Sequence, residues 1–423
     1  SVAIGNNAGQ NQQGNGSGSG TGAAIAIGFN AGAGIFSVGQ DSDAIAIGNA
    51  AGQLTQGPST VAIGLSAGYN SQGNSGIAIG NSAGYSNQSG NGISIGTSAG
   101  TTSQGASSIA IGNNSGTATQ ATLSVAIGYQ AGNSSQGSSS VAIGDNSGSV
   151  SQAANSVAVG KEAGNTTQST NSIAIGNTAG KYKQGLGSGA GTGGAIAIGN
   201  GAGTGTTLVG QNYDSIAIGT SSGVTAQGST SIAIGAFAGN SSQSSSCVAV
   251  GYTAGQTSQG ASGVSIGYAS GTTSQGVSSI AIGTQAGNAT QAAESIAIGY
   301  TAGQTTQATL CVAIGKEAGN TTQGTTSVAI GNTAGKYKQG IGASGGTGGA
   351  IAIGNGAGVG TTLVGQDSNA IAIGNGAGAT AQGTSIAIGL NAGVTSQSGQ
   401  SIAIGELSGN LNQGSSCVAI GNQ

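Results

Sequence analysis

A five-residue phrase, small residue–Val/Ile–Ala/Ser–Ile/Val–Gly, recurs 25 times along the 423 residues of this chain. The interval between its closing glycines is 16 residues in 17 of 24 cases, 15 in one, 20 in three and 23 in three. A unit this short cannot bury its own apolar face, so it must stack on copies of itself. The expected fold class is therefore all-β: a parallel β-solenoid of mostly 16-residue coils, continuous over residues 1–423.

Within one unit, as in Ile173-Ala174-Ile175, large residues alternate with a small one. Period two is the pattern of a strand with two unlike faces, and β-branched side chains suit its pleated surface. The size rule predicts that the large pair fills the coil. On that reading Val2, Ile4, Ile173, Ile175, Ile216, Ile218, Val418 and Ile420 are core residues. The near-invariant central Ala then points outward, onto a neighbouring chain, with Ala3, Ala174 and Ala217 as expected subunit contacts. A second Gly stands four residues after the first, as at Gly180, and marks a corner with positive φ or close backbone approach. The Ala before it is expected to face inward. Gln stands eight residues after the first Gly in each coil of regular length. Stacked about 4.8 Å apart, Gln56, Gln72, Gln104, Gln184, Gln307 and Gln413 are expected to form an amide ladder that closes the second corner.

Composition supports coils over the alternatives. The 90 glycines disfavour long helices, and with one Pro and no Gly every third residue the chain is not collagen-like. Gly, Ser, Asn and Gln would suit a disordered linker, but a linker has no use for a β-branched pair in every unit. The six cations are all Lys and the net charge is −3, so nucleic acid is not an expected partner. No apolar run is long enough to span a membrane. The chain opens in mid-phrase without Met, and reads as a processed or internal stretch of a longer one.

The longer intervals are ordered: a 23-residue one precedes a 20-residue one each time, so protruding inserts are expected near 6–48, 177–219 and 332–374. The last two share Lys-Tyr-Lys-Gln-Gly and then Gly-Thr-Thr-Leu-Val-Gly-Gln. Together the three inserts gather most of the positive charge and bulky residues such as Phe36 and Leu208. Lys181, Tyr182, Lys183, Lys336, Tyr337 and Lys338 are candidate surface contacts.

Catalytic signatures are weak. Gly189–Gly194 fits GxGxxG, which chance supplies in so Gly-rich a chain, and no helix is expected after it. There is no His, and no acidic pair recurs, so neither triad chemistry nor metal ligation is expected and no cofactor is implied. Cys247, Cys311 and Cys417 occupy the small slot before Val. Coils that far apart cannot be bridged, so each reads as a small apolar substitute for Ser. Asn133, Asn165, Asn240, Asn288 and Asn320 begin Asn-x-Ser/Thr triplets, which suit exposed corners. Tyr129, Tyr252, Tyr268 and Tyr300 follow the phrase Gly directly and read as corner packing or exposed contacts.

The phrase Ser-Val/Ile-Ala-Ile-Gly, at 1–5, 140–144, 231–235 and 401–405, resembles the head repeats of trimeric autotransporter adhesins, the YadA-like left-handed parallel β-roll. The resemblance covers essentially the whole chain. It implies three chains side by side and a role in surface attachment. Coils here are longer than in that family, with an added Gln-Gly element, and no neck, stalk or membrane barrel is present. The expected function is a non-catalytic fibre or filament with an adhesive surface, extracellular or on a cell or virion surface. Self-association is the expected partnership, with a surface receptor, matrix or glycan as further candidates. The alternatives are a functional-amyloid-like filament of single chains stacked end to end and, less favoured, an ice-binding solenoid.

Overall fold

A computed structural model describes residues 1–14, 22–35, 38–186, 193–341 and 348–422. Phe36 and residues 189–192 of the GxGxxG match lie outside them. The chain divides into two compact units, Ser1–Ser215 and Ile216–Gln423. Each is an all-β parallel solenoid, with no helix among the described residues.

Every copy of the phrase forms a three-residue strand. The first unit carries twelve, from Val2–Ile4 to Ile196–Ile198, and the second thirteen, from Ile216–Ile218 to Val418–Ile420. Neighbours pair parallel and in register, as Ile109↔Val125, Ala110↔Ala126 and Ile111↔Ile127. A second ladder runs along the Gln segments, seven strands in the first unit and four in the second.

Hydrogen bonding continues through the corners. In one coil Ile109 N donates to Ser124 O (2.9 Å), Gly112 N to Ile95 O (2.8 Å), Gly116 N to Ala131 O (2.9 Å) and Leu123 N to Ala106 O (3.0 Å). The backbone thus pairs with the coils before and after around most of its circuit, which leaves few polar main-chain groups unmatched. This is possible because four residues per coil take positive φ: Gly112 (126°), Asn114 (55°), Gly116 (52°) and Leu123 (59°). Only Gly adopts the first of these readily.

The core lies where the size rule did not put it. The strand-centre alanines point inward and are inaccessible; Ala110, Ala174 and Ala217 are each 0 % exposed. Ala3 is exposed in its own coil but lies in register with Ala26, which is fully buried. The interior is completed by the small slot (Ser108, Ser124), by the residue before the second Gly (Ser115, Ala179) and by Gln. The expectation that Val2, Ile4, Ile173, Ile175, Ile216, Ile218, Val418 and Ile420 fill the coil is overturned, and with it the assignment of Ala3, Ala174 and Ala217 to a subunit interface. The large pairs stand on the outside, Ile175 for example being 39 % exposed. The physical reason is the width of the coil. Sixteen residues with four tight corners bring the opposite wall so close that a Cβ on Gly116 would lie 3.3 Å from that of Ala110. A methyl group and a flat amide fit there; two branched side chains do not.

Candidate interaction surface

Among the described residues the glutamine is the only large side chain in the interior, and its amide ties the coil together. Nε2 of Gln104 donates to Ile93 O (2.7 Å) and Ser108 O (3.2 Å). Gln72 repeats this with Val61 O and Gly76 O, Gln307 with Ile296 O and Cys311 O, and Gln413 with Ile402 O and Cys417 O. Gln56 reaches Ile45 O and Gln184 reaches Ile173 O, both at 2.7 Å. Amide-to-amide bonds are added at some steps, from Gln184 to Gln211, Gln307 to Gln323 and Gln397 to Gln413. The side chain is therefore a tie across its own coil first and a ladder second.

The glutamine oxygen explains the rare Ser at the strand centre. Twelve buried Gln Oε1 atoms, that of Gln120 among them, accept no hydrogen bond. Where Ser replaces Ala, it supplies the donor: Ser94 Oγ to Gln104 Oε1 at 2.6 Å and Ser265 Oγ to Gln275 Oε1 at 2.7 Å. Pairing a buried acceptor stabilises by about 1 kcal/mol. Ala110→Ser is therefore expected to raise the unfolding free energy by about that much through Gln120, read as a higher urea midpoint. An unchanged or lowered midpoint would show that the oxygen gains nothing from a donor.

With Ala inside, each unit carries two parallel rows of β-branched side chains on its outer strand face. In the first unit Ile111, Ile127 and Ile143 stack in register, and in the second Ile234, Val250 and Ile266. The side chains of the rows are part-buried, with Ile143 (37 %) and Ile234 (38 %) among the more open ones.

The Lys-Tyr-Lys elements are engaged within the chain. Lys181 Nζ pairs with Glu162 Oε2 at 2.6 Å and lies 5.3 Å from the Tyr182 ring centroid. Lys336 repeats this with Glu317 and the ring of Tyr337. The hydrogen bond from each lysine raises its pKa above the ordinary value, and that from Lys336 holds the Glu317 carboxyl below its usual range. Lys183 and Lys338 donate to Leu208 O and Leu363 O, both at 3.2 Å. Each thus clasps the tight turn that the 20-residue coil inserts. Among the described residues of this region the most exposed large side chains are those of the turn tips, Leu208 and Leu363, each 81 % exposed.

The remaining sequence signals also resolve locally. The Nδ2 of Asn133, Asn165, Asn240, Asn288 and Asn320 donates to a carbonyl of the preceding coil at 2.7–2.9 Å. These side chains are structural ties, with the nitrogen a glycan would need already engaged. Tyr129, Tyr252, Tyr268 and Tyr300 stand about half exposed, and Tyr252 stacks on Tyr268 at 5.5 Å. All three cysteines are free. The thiols of Cys247 and Cys311 donate to Gly260 O (3.0 Å) and Gly324 O (2.8 Å), and burial raises the pKa of both.

No protein-family model matches this chain, and no curated protein matches it.

Proposed function

We propose that this chain is a non-catalytic structural repeat protein. Its copies associate through the Val/Ile rows, as a homotrimer, and turn their other surfaces outward for contact. The observation that carries this reading is the inversion of the coil: small residues inside, two rows of β-branched residues outside. Such rows over a dozen coils amount to an open apolar face on the order of 1,000 Å² per unit, more than a soluble monomer ordinarily exposes and enough for a specific interface. A second copy of the chain is the natural occupant, because it repeats the same side chains at the same strand spacing of about 4.8 Å. The trimer, the adhesive role and a location outside the cell or on a virion follow from the resemblance to adhesin head repeats.

The test is a mass measurement. By sedimentation equilibrium the native chain is expected to weigh three chains. The triple variant Ile111→Asn, Ile127→Asn, Ile143→Asn is expected to shift toward one chain while keeping its β circular dichroism. A native chain that sediments as a monomer at micromolar concentration would end this reading.

A further inference from the structure

We infer that the chain carries two saccharide-binding clefts at matching positions, one in each unit, each at the foot of an inserted turn, the first the larger and more polar of the two. The first has a volume of about 480 Å³ and the second about 200 Å³. They are built from matching positions. Val38, Asp41, Thr55 and Ser71 line the first where Val364, Asp367, Ala381 and Ser396 line the second. The flanking sequence Val-Gly-Gln-Asp-Ser is identical at 38–42 and 364–368, while the third copy of the turn continues Val209-Gly210-Gln211-Asn212. The fold makes these clefts in a simple way. Val38 and Val364 stand at one side of the cleft, and the Gln-Gly corners of the following coils form the floor. The backbone N of Asp41 donates to Gln56 O (2.9 Å) and that of Asp367 to Gln382 O (2.8 Å), so each carboxylate is carried on a paired segment.

The lining chemistry selects the ligand. All six lysines lie outside the clefts, so an anionic sugar meets a carboxylate with no cation beside it; Oδ1 of Asp41 already accepts from Ser42 N (2.7 Å), which leaves Oδ2 toward a ligand. In the first cleft Val38 and Pro58 offer C–H surface, while Asp41, Ser71, Asn74 and Asn87 offer acceptors and donors. That mixture suits a neutral saccharide, which has an apolar ring face and a rim of hydroxyls. A sugar hydroxyl can donate to the carboxylate in a charge-assisted bond stronger than a neutral one. A lysine side chain would find a single half-buried carboxylate and no aromatic box among the lining residues, a pairing of little net strength.

This inference draws only on the contact-surface half of the function proposed above, and assembly is measured separately by sedimentation. The native chain is tested against an array of neutral glucose, galactose, mannose and N-acetylglucosamine oligosaccharides, and a retained member is titrated by calorimetry. Two sites per chain are expected. Asp41→Asn and Asp367→Asn should each weaken one site by about tenfold, and the double variant should lose measurable binding with sedimentation unchanged. Thr55→Tyr with Ala381→Tyr fills both clefts without touching charge, and should also abolish binding; it answers for the aspartate pair if those variants lose their β signal. Failure to retain any neutral oligosaccharide would overturn the inference. So would binding indifferent to both pairs of changes, or an aspartate-dependent preference for a lysine-rich peptide.

Discussion

Gly283→Ala is expected to open the solenoid around its own coil. Gly283 has φ of 128°, and a Cβ there would stand 2.5 Å from the carbonyl oxygen of Gly299 in the next coil. Backbone strain at such a φ costs about 1–3 kcal/mol, and the overlap adds about 1–3 kcal/mol. Neither can relax cheaply, because Gly283 N is itself bonded to Ile266 O at 2.8 Å, which pins the corner to its neighbour. In a stack where each coil contacts only its neighbours, the loss is local. Amide exchange is expected to quicken over roughly residues 264–315 while distant coils of the same unit stay protected. Gly399→Ala is the control: its φ is not left-handed and a Cβ there meets nothing within 4 Å. That change is expected to be neutral or to stabilise by up to about 1 kcal/mol through the unfolded state. Equal protection in the two variants would mean that the glycine column is not what sets the coil spacing.

Ala174→Lys is expected to disrupt folding rather than assembly. Ala174 is 0 % exposed and points into a coil whose large occupant among the described residues is the Gln184 amide. An ammonium group has neither room nor a counter-ion there. The unpaired buried charge costs about 4 kcal/mol or more, so the coils from Val157 to Ile198 should lose their β signal and become protease-sensitive. Ile175→Lys, one residue on, is expected to keep the coil, since that side chain already stands 39 % exposed. It should weaken association instead. The pair separates the two faces of one strand by melting temperature and sedimentation. Reversed outcomes would restore an interior filled by isoleucine.

The existence of the coils, their register and their length were legible from the sequence, because a 16-residue recurrence of strand phrase and glycine admits little else. The corners were legible too. Gly112 and Gly116 were marked by their constancy, and both take left-handed backbone in the structure. The sidedness of the strand was not. Alternation in Ile109-Ala110-Ile111 says that the faces differ, but the rule that larger apolar residues go inside presumes an interior wide enough to hold them. The constancy of Ala and its rare replacement by Ser at 94 and 265 were the signals of a crowded, partly polar interior, and they fit a subunit contact equally well until the glutamine oxygens came into view.

The surface divides in the same way. Lys181, Lys183, Lys336 and Lys338 stand out in a sequence with six cations, yet their partners lie about 20 residues or more away along the chain, at Glu162, Leu208, Glu317 and Leu363. Sequence alone therefore determined the repeating strand and the turn chemistry, which depend on residues a few positions apart, and the in-register stack, which the 16-residue period itself dictates. Tertiary structure decided which side of each strand is buried and which inserted groups reach solvent. Those outcomes depend on the distance between opposite walls, a length that exists only once the coil has closed.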